Sequence, residues 1–376
     1  MSRTAQPEPQ PSTGPSAVEA ESPATDAESV SDTESAAVAG AAELAAESLA
    51  AFGLPESTAL RLLKHRENSV FGLEHAGTSY VLRVHRQGYH SDAELARELE
   101  FVGSLAGRGV PVPRFVPVSD AQSFVHVGHG HRLGVHQVDL QFHIANEGNF
   151  GDEQTAFDGT AAHEPEDFDR LGELIGDVHD ATVASGFAVD DDRPCWDAEG
   201  LVGEAALWGA PLRVRELHAP ENSAALTTLT EAIADIRTVL ADYGVGPQRF
   251  GPIHADLTPE NVLRTSAGLV LIDFDDFAAG WHLFDLATAL YFFTRHPRAA
   301  EYQAALFAGY QRRRPLNAAD LAAFPALLVA RGLTYLGWSA DRRGEPAAEF
   351  HVHTVLPHLV DLAAAFVADR SSGAHR

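Results

Sequence analysis

Residues 253–276 read IHADLTPENVLRTSAGLVLIDFDD, and this stretch decides the fold. Two apolar runs, NVLR and LVLI, flank a turn of Thr265, Ser266, Ala267 and Gly268. Paired antiparallel about that turn, the start of the first run lies opposite the end of the second, so Asn261 and Asp273 meet. Asp256 precedes Asn261 in a loop where Pro259 blocks helix continuation, and can point into the same space. Any one of these residues alone reads as a turn former or strand-end cap. Together they bring three oxygen-bearing side chains to one place.

Two oxygen ligands beside a free carboxylate suit magnesium, which takes a few protein oxygens and completes its shell with water and substrate phosphates. The remaining carboxylate can accept the proton of an attacking hydroxyl. A loop Asp, an Asn shortly after it and a second Asp on the metal form the pattern of phosphoryl transfer.

Working outward, VFGLEHAGTSYVLRVHR after Ser69 alternates as a hairpin turning at Ala76-Gly77-Thr78. DAELARELEFVGSLAGRG carries apolar positions at helical spacing and stops at Gly107 and Gly109, before an extended VPVPRFVPV. A second hairpin spans SFVHVGHGHRLGVHQVDLQF, and IANEGNFGDE leads away as a connection between lobes. Helical patterns dominate beyond about residue 165. The expected organisation is a disordered acidic tail over 1–38, an N-terminal lobe with a leading helix over 39–148, and a C-terminal catalytic lobe over 149–370.

Asp and Glu number 53 against 27 Lys and Arg, a formal charge of −26, which argues against nucleic acid or an anionic membrane as partner. Lys64 is the sole lysine. Strong acidity with so little lysine fits a salt-loving habitat, where concentrated salt screens self-repulsion. The longest apolar runs fall short of the roughly 20 residues a membrane span needs. No secretory pattern opens the chain and Cys195 has no internal partner, so a reducing cytoplasm is expected. The histidines 126, 129, 131 and 136 alternate along a hairpin, which scatters them over two faces and argues against a zinc site. Lys64 lacks the glycines of a Walker loop, and no Gly-x-Ser-x-Gly elbow occurs.

HADLTPEN, LIDFDD and the DLA that starts at Asp285 resemble the aminoglycoside phosphotransferase and choline kinase family, small-molecule relatives of protein kinases. The resemblance runs over about residues 65–340. ENSVFGLE, with Ser69, resembles the family's phosphate-covering loop, YVLRVHR its third strand, RELEFVGSL its first helix and LGELIGDVHDAT the helix that begins the large lobe. It implies an α+β, two-lobed protein-kinase-like fold: a small lobe of antiparallel sheet with one helix, and a larger, mainly helical lobe. It also implies ATP and Mg2+ as cofactors, with Asp256 as base, Asn261 and Asp273 as metal ligands, Asp285 as a buried structural acid and His254 bracing the loop. Arg83, held by Glu98, takes the place of the strand lysine that grips the α- and β-phosphates, while Lys64 precedes the loop and does not substitute for it. Trp281-His282 departs from the Asp-Pro of many relatives, and one of Asp275 and Asp276 is a further candidate to assist the metal.

The implied activity is transfer of the γ-phosphoryl group to a hydroxyl of a small molecule. RGLTYLGWSADRR resembles a helix of bacterial stress-response protein kinases and also of homoserine kinase-like members, so a protein serine/threonine kinase stays open. A non-catalytic nucleotide-binding regulator is a further alternative.

Overall fold

The computed structural model describes residues 24–65, 68–119, 122–189, 193–216 and 223–373. In chain order the small lobe contains helix α1 (Ala24–Ser48), strands β1 (Leu60–His65), β2 (Ser69–His75) and β3 (Thr78–Val84), helix α2 (Asp92–Gly107), and strands β4 (Phe124–Val127) and β5 (His136–Phe142). There follow β6 (Gly148–Asn149), α3 (Glu153–Phe157), α4 (Pro165–Ser185), β7 (Cys195–Trp196), α5 (Ala198–Val202), α6 (Ser223–Tyr243) and β8 (Phe250–Ile253). The rest comprises β9 (Val262–Thr265), β10 (Gly268–Leu271), β11 (Ala278–Trp281), α7 (His282–Tyr291), α8 (Ala299–Gln311), α9 (Ala318–Asp341), α10 (Pro346–Phe350) and α11 (Leu356–Gly373).

The five antiparallel strands of the first sheet lie in the order β1-β2-β3-β5-β4. Their alternation puts Phe71, Leu73, Leu82, Val138 and Leu140 on one face, where Leu44, Ala45 and Leu49 of the first helical segment cover them. Each such buried leucine contributes about 2 kcal/mol. The β2–β3 turn forms because Ala76 and Gly77 both adopt positive φ, 50° and 77°, the backbone twist a tight hairpin needs. On the other face α2 starts with a reciprocal capping box between Ser91 and Glu94 and buries Glu98 beneath the sheet. Phe101 of α2 stacks on Phe277, 4.1 Å between centroids, which ties the small lobe to the chain that follows Asp273.

Helices α4 and α8 cross closely in the large lobe. A Cβ on Gly172 would collide with the Leu306 carbonyl and one on Gly309 with the Asp169 carbonyl, so both positions require glycine.

Several expectations are corrected. Residues 24–38, expected as tail, are helical, because their Ala, Ser and Glu composition continues the anchored helix upstream; residues 1–23 lie outside the described residues. VPVPRFVPV is extended but joins the sheet only through a bridge at Phe115, since its prolines cannot donate to a ladder. Strand β1 was not expected: LRLLKH is an edge strand without clean alternation. Three helical stretches, 35–52, 318–341 and 346–372, are long and apolar enough to cross a membrane by length and composition, being rich in alanine; 72% of the second is buried within the protein. Of the hairpin histidines, His126 bonds Asp92, His131 bonds Glu43, and His136 bonds the His85 carbonyl.

Candidate active site

The loop after β8 is held from behind. Asp285, fully buried in the first turn of α7, accepts hydrogen bonds from the backbone N–H groups of His254 (3.0 Å) and Ala255 (2.8 Å) and from His179 Nε2 (2.9 Å). His254 donates from Nε2 to the Ile272 carbonyl at 3.0 Å, and its Nδ1 accepts from the Asp256 N–H at 3.3 Å. Burial lowers the pKa of His254 and so keeps it neutral, as that donor–acceptor pattern requires. Ala255 is forced to φ 69°, a strained value for alanine that these bonds over-determine. Asp285 and His254 therefore occupy the bracing positions the sequence implies.

Strands β9 and β10 pair antiparallel with Val262 opposite Leu271, and the Ile272 N–H reaches the Asn261 carbonyl at 2.9 Å. This register brings Asn261 and Asp273 to one end of the hairpin. Asn261 Nδ2 donates to Asp256 Oδ2 at 2.9 Å and to the Asp256 carbonyl at 2.8 Å, leaving its own Oδ1 for another ligand. Asp273, at φ 66°, is a second non-glycine residue held left-handed. Asp256, Asn261 and Asp273 all line a cleft of about 600 Å³ between the lobes.

The charge balance inside the cleft fits a divalent cation. Burial, then the neighbouring Asp275, pushes the Asp273 carboxyl up to about 7, with Lys64 and Arg83 opposing. Asp276 is pushed up to about 8, by burial and then by the Asp256 charge, although Trp208 Nε1 donates to it at 3.0 Å. Carboxylates crowded with too little positive charge are stabilised by a metal ion. A second cluster, His90, Glu98 and Asp275, has ligand atoms within 4.8 Å of one another. Arg83 and Arg193 already stand among its members, so its charge is met by guanidinium groups.

On the small-lobe side, Arg83 meets Glu98 at 3.0 Å as the resemblance implies, but it also meets Asp139 at 2.8 Å and Asp275 at 3.3 Å. Burial opposes its charge, and these three carboxylates more than restore it. Arg83 and Glu98 both line the cleft. Ser69 does not: its hydroxyl bonds His65 Nδ1 at 2.8 Å, and Asn68 and Val70 form the wall there. Asn68 crosses to the large lobe, donating to Asp275 Oδ2 at 2.6 Å.

The sequence reading missed Arg331 in α9. This guanidinium is fully buried, places Nη2 2.6 Å from Asp256 Oδ1 and 2.6 Å from the Tyr335 hydroxyl, and lies over the Trp208 ring at 4.7 Å. A lone arginine inside the apolar run AFPALLVARGLTYLGW was the available signal. Asp139, a lone acid in the centre of an alternating strand, was the corresponding signal for the partner of Arg83. Glu153, Trp208, Tyr335, Trp338 and His351 line the large-lobe end of the same cleft.

Comparison with known proteins agrees with this fold. An uncharacterised protein of Deinococcus radiodurans is 30% identical over 320 residues, covering 81% of this chain and 82% of its own. Homoserine kinase of Pseudomonas aeruginosa is 33% identical over 164 residues, and the match spans about half of that enzyme, 47%. Among solved structures, the microcompartment-associated aminopropanol kinase superposes with a TM-score of 0.70 at 28% identity, covering 88% of this chain and 98% of that one. Amicoumacin kinase, solved with AMP-PNP, shares the fold with a TM-score of 0.62 at 19% identity, covering 80% and 88%. The profile of the phosphotransferase enzyme family matches residues 58–321, and the chain belongs to that family.

Proposed function

We propose that the chain transfers the γ-phosphoryl group of ATP to a hydroxyl of a small amino alcohol or hydroxy amino acid. The observation that carries this reading is the Asp256–Asn261 contact of 2.9 Å at the mouth of the β9–β10 hairpin, in one cleft with Asp273. Asp256 has one oxygen fixed by Asn261 and the other by Arg331, so its remaining lone pairs are aimed, and it orients the acceptor hydroxyl and takes its proton. Asn261 Oδ1 and Asp273 are the groups that would hold Mg2+, which offsets the charge of the transferring phosphoryl group. Asp285 and His254 keep the loop in its strained form through the reaction.

The choice of acceptor rests on the large-lobe end of the cleft. Trp208, Tyr335 and Trp338 there are already covered by Arg331 and Arg342, so a compact ammonium group would be met by the acidic side chains of Glu153 and Asp276, which line the same end. The relatives named for aminopropanol and homoserine support a hydroxyl close to such a group. We place the enzyme in the cytoplasm, consistent with its free, half-buried Cys195. The test is ATP consumption with magnesium in concentrated KCl across 1-amino-2-propanol, ethanolamine, choline, homoserine, aminoglycosides and a serine-containing protein. Turnover only with the protein would move the assignment to a protein kinase, and ATP binding without turnover on any of them to a regulator.

A further inference from the structure

Each nitrogen of Arg83 already faces a carboxylate. Nε donates to both oxygens of Asp139 (3.2 and 3.0 Å), Nη1 to Asp275 (3.3 Å) and Nη2 to Glu98 (3.0 Å). The residue is 6% exposed. A polyphosphate brought to this guanidinium would meet three fixed negative charges with it, at the low effective dielectric of a buried site where such repulsion is strong.

Lys64 stands differently. It lines the same cleft, is half-buried, and enters no ion pair among the described residues. Its aim is set by a bulge in β1. Leu62 pairs with Phe71, but Lys64 pairs with Val70 where regular pairing would set Leu63 there. A bulge of this kind turns two successive side chains towards one face and is a common device beside active sites. Leu63 and Lys64 both line the cleft as a result. Val70 in turn lies opposite Arg83 on β3, so Lys64, Val70 and Arg83 form one row across three strands on the cleft face. With strands about 4.8 Å apart, the ammonium is rooted about 10 Å from Arg83, on the far side of a residue that lines the cleft. A lysine is a compact charge on a flexible stem, able to follow a phosphate chain, whereas a guanidinium locked by three carboxylates cannot.

We infer that Lys64, delivered by the β1 bulge, is the cation that grips the nucleotide phosphates, while Arg83 is a fixed counter-ion joining α2, β5 and the Asp275 segment. This inference rests on the ATP-dependent reading above and departs from the family resemblance, which implies Arg83 as the phosphate cation.

The test is calorimetric binding of adenosine, ADP and ATP with magnesium to the full chain and to Lys64→Met and Lys64→Arg. Lys64→Met is expected to weaken ATP and ADP about ten- to hundredfold, the range of a lost charge-assisted hydrogen bond, with adenosine unchanged, and Lys64→Arg to recover most of the loss. Because Lys64 is the sole lysine, acylation measured on the peptide that contains it reads one side chain apart from the α-amino group: ATP should protect it from modification and adenosine should not. ATP binding to Lys64→Met at wild-type affinity, or equal weakening of ATP and adenosine, would overturn the inference while leaving the kinase reading standing. Failure of the wild-type chain to bind ATP would overturn both.

Discussion

Arg331 and Asp256 form an ion pair of 2.6 Å in which the arginine is wholly buried and the aspartate faces the cleft. The pair joins Arg331 of α9, which lies beyond residue 321 where the family match ends, to the loop that carries Asp256. Removing the cation leaves Asp256, the proposed base, held by Asn261 alone. Arg331→Met should lower kcat about 10²-fold while changing the KM for ATP little, and Arg331→Lys should recover part of the loss. Steady-state kinetics with ATP and acceptor varied separately would show this split; an equal rise in the ATP KM would mean that Arg331 acts on the nucleotide instead.

Arg83→Met should act chiefly on stability. It leaves Glu98, Asp139 and Asp275 without their shared cation, and breaking a buried pair costs about 3–5 kcal/mol. Urea unfolding at fixed salt measures the loss; a midpoint within error of wild type would show that the three carboxylates are not held by this residue.

The raised carboxyls predict a pH dependence. Asp276 and Asp273 hold protons up to about 8 and 7 in the folded chain, against about 4 when unfolded, so the stability they contribute is present at low pH and lost as pH rises through those values. Below pH 6.5 the opposite trend comes from His90 and His163, both lowered to about 4, mainly by burial, so the window that isolates the acids lies above 6.5. Without magnesium, the melting temperature of the wild type should fall from pH 6.5 to 8.5 more steeply than that of Asp276→Asn. Parallel curves would remove Asp276 as a charge-starved acid.

Magnesium should oppose that trend. A cation bound at Asp273 competes with the proton, so the rise in melting temperature on adding MgCl2 should be larger at pH 8.5 than at 6.0 and absent in Asp273→Ala. An undiminished rise in Asp273→Ala would place the metal elsewhere.

Much of this site was legible in the sequence because it is local. Asn261 and Asp273 sit at the ends of a short hairpin, so the turn chemistry of Thr265–Gly268 fixes their meeting without knowledge of the rest of the chain. Asp285 and His254 came with the motif. What escaped depends on pairing at long range. Asp139 and Arg331 reach the site from β5 and α9, and no local spacing connects them to Arg83 or Asp256. Lys64 escaped for another reason: alternation does not reveal an edge strand that carries a bulge, and position before the loop looked like distance from the phosphates.

The central claim, that Asp256 is the base of an ATP-dependent phosphotransferase, is tested most directly by following transfer of the γ-phosphoryl group to the best acceptor with wild type and Asp256→Asn, alongside ATP binding by both. The account predicts acceptor-dependent transfer by the wild type, its loss in Asp256→Asn, and ATP affinity within about threefold in the two proteins, since the substitution keeps the shape and touches no nucleotide contact. Undiminished transfer by Asp256→Asn would contradict it.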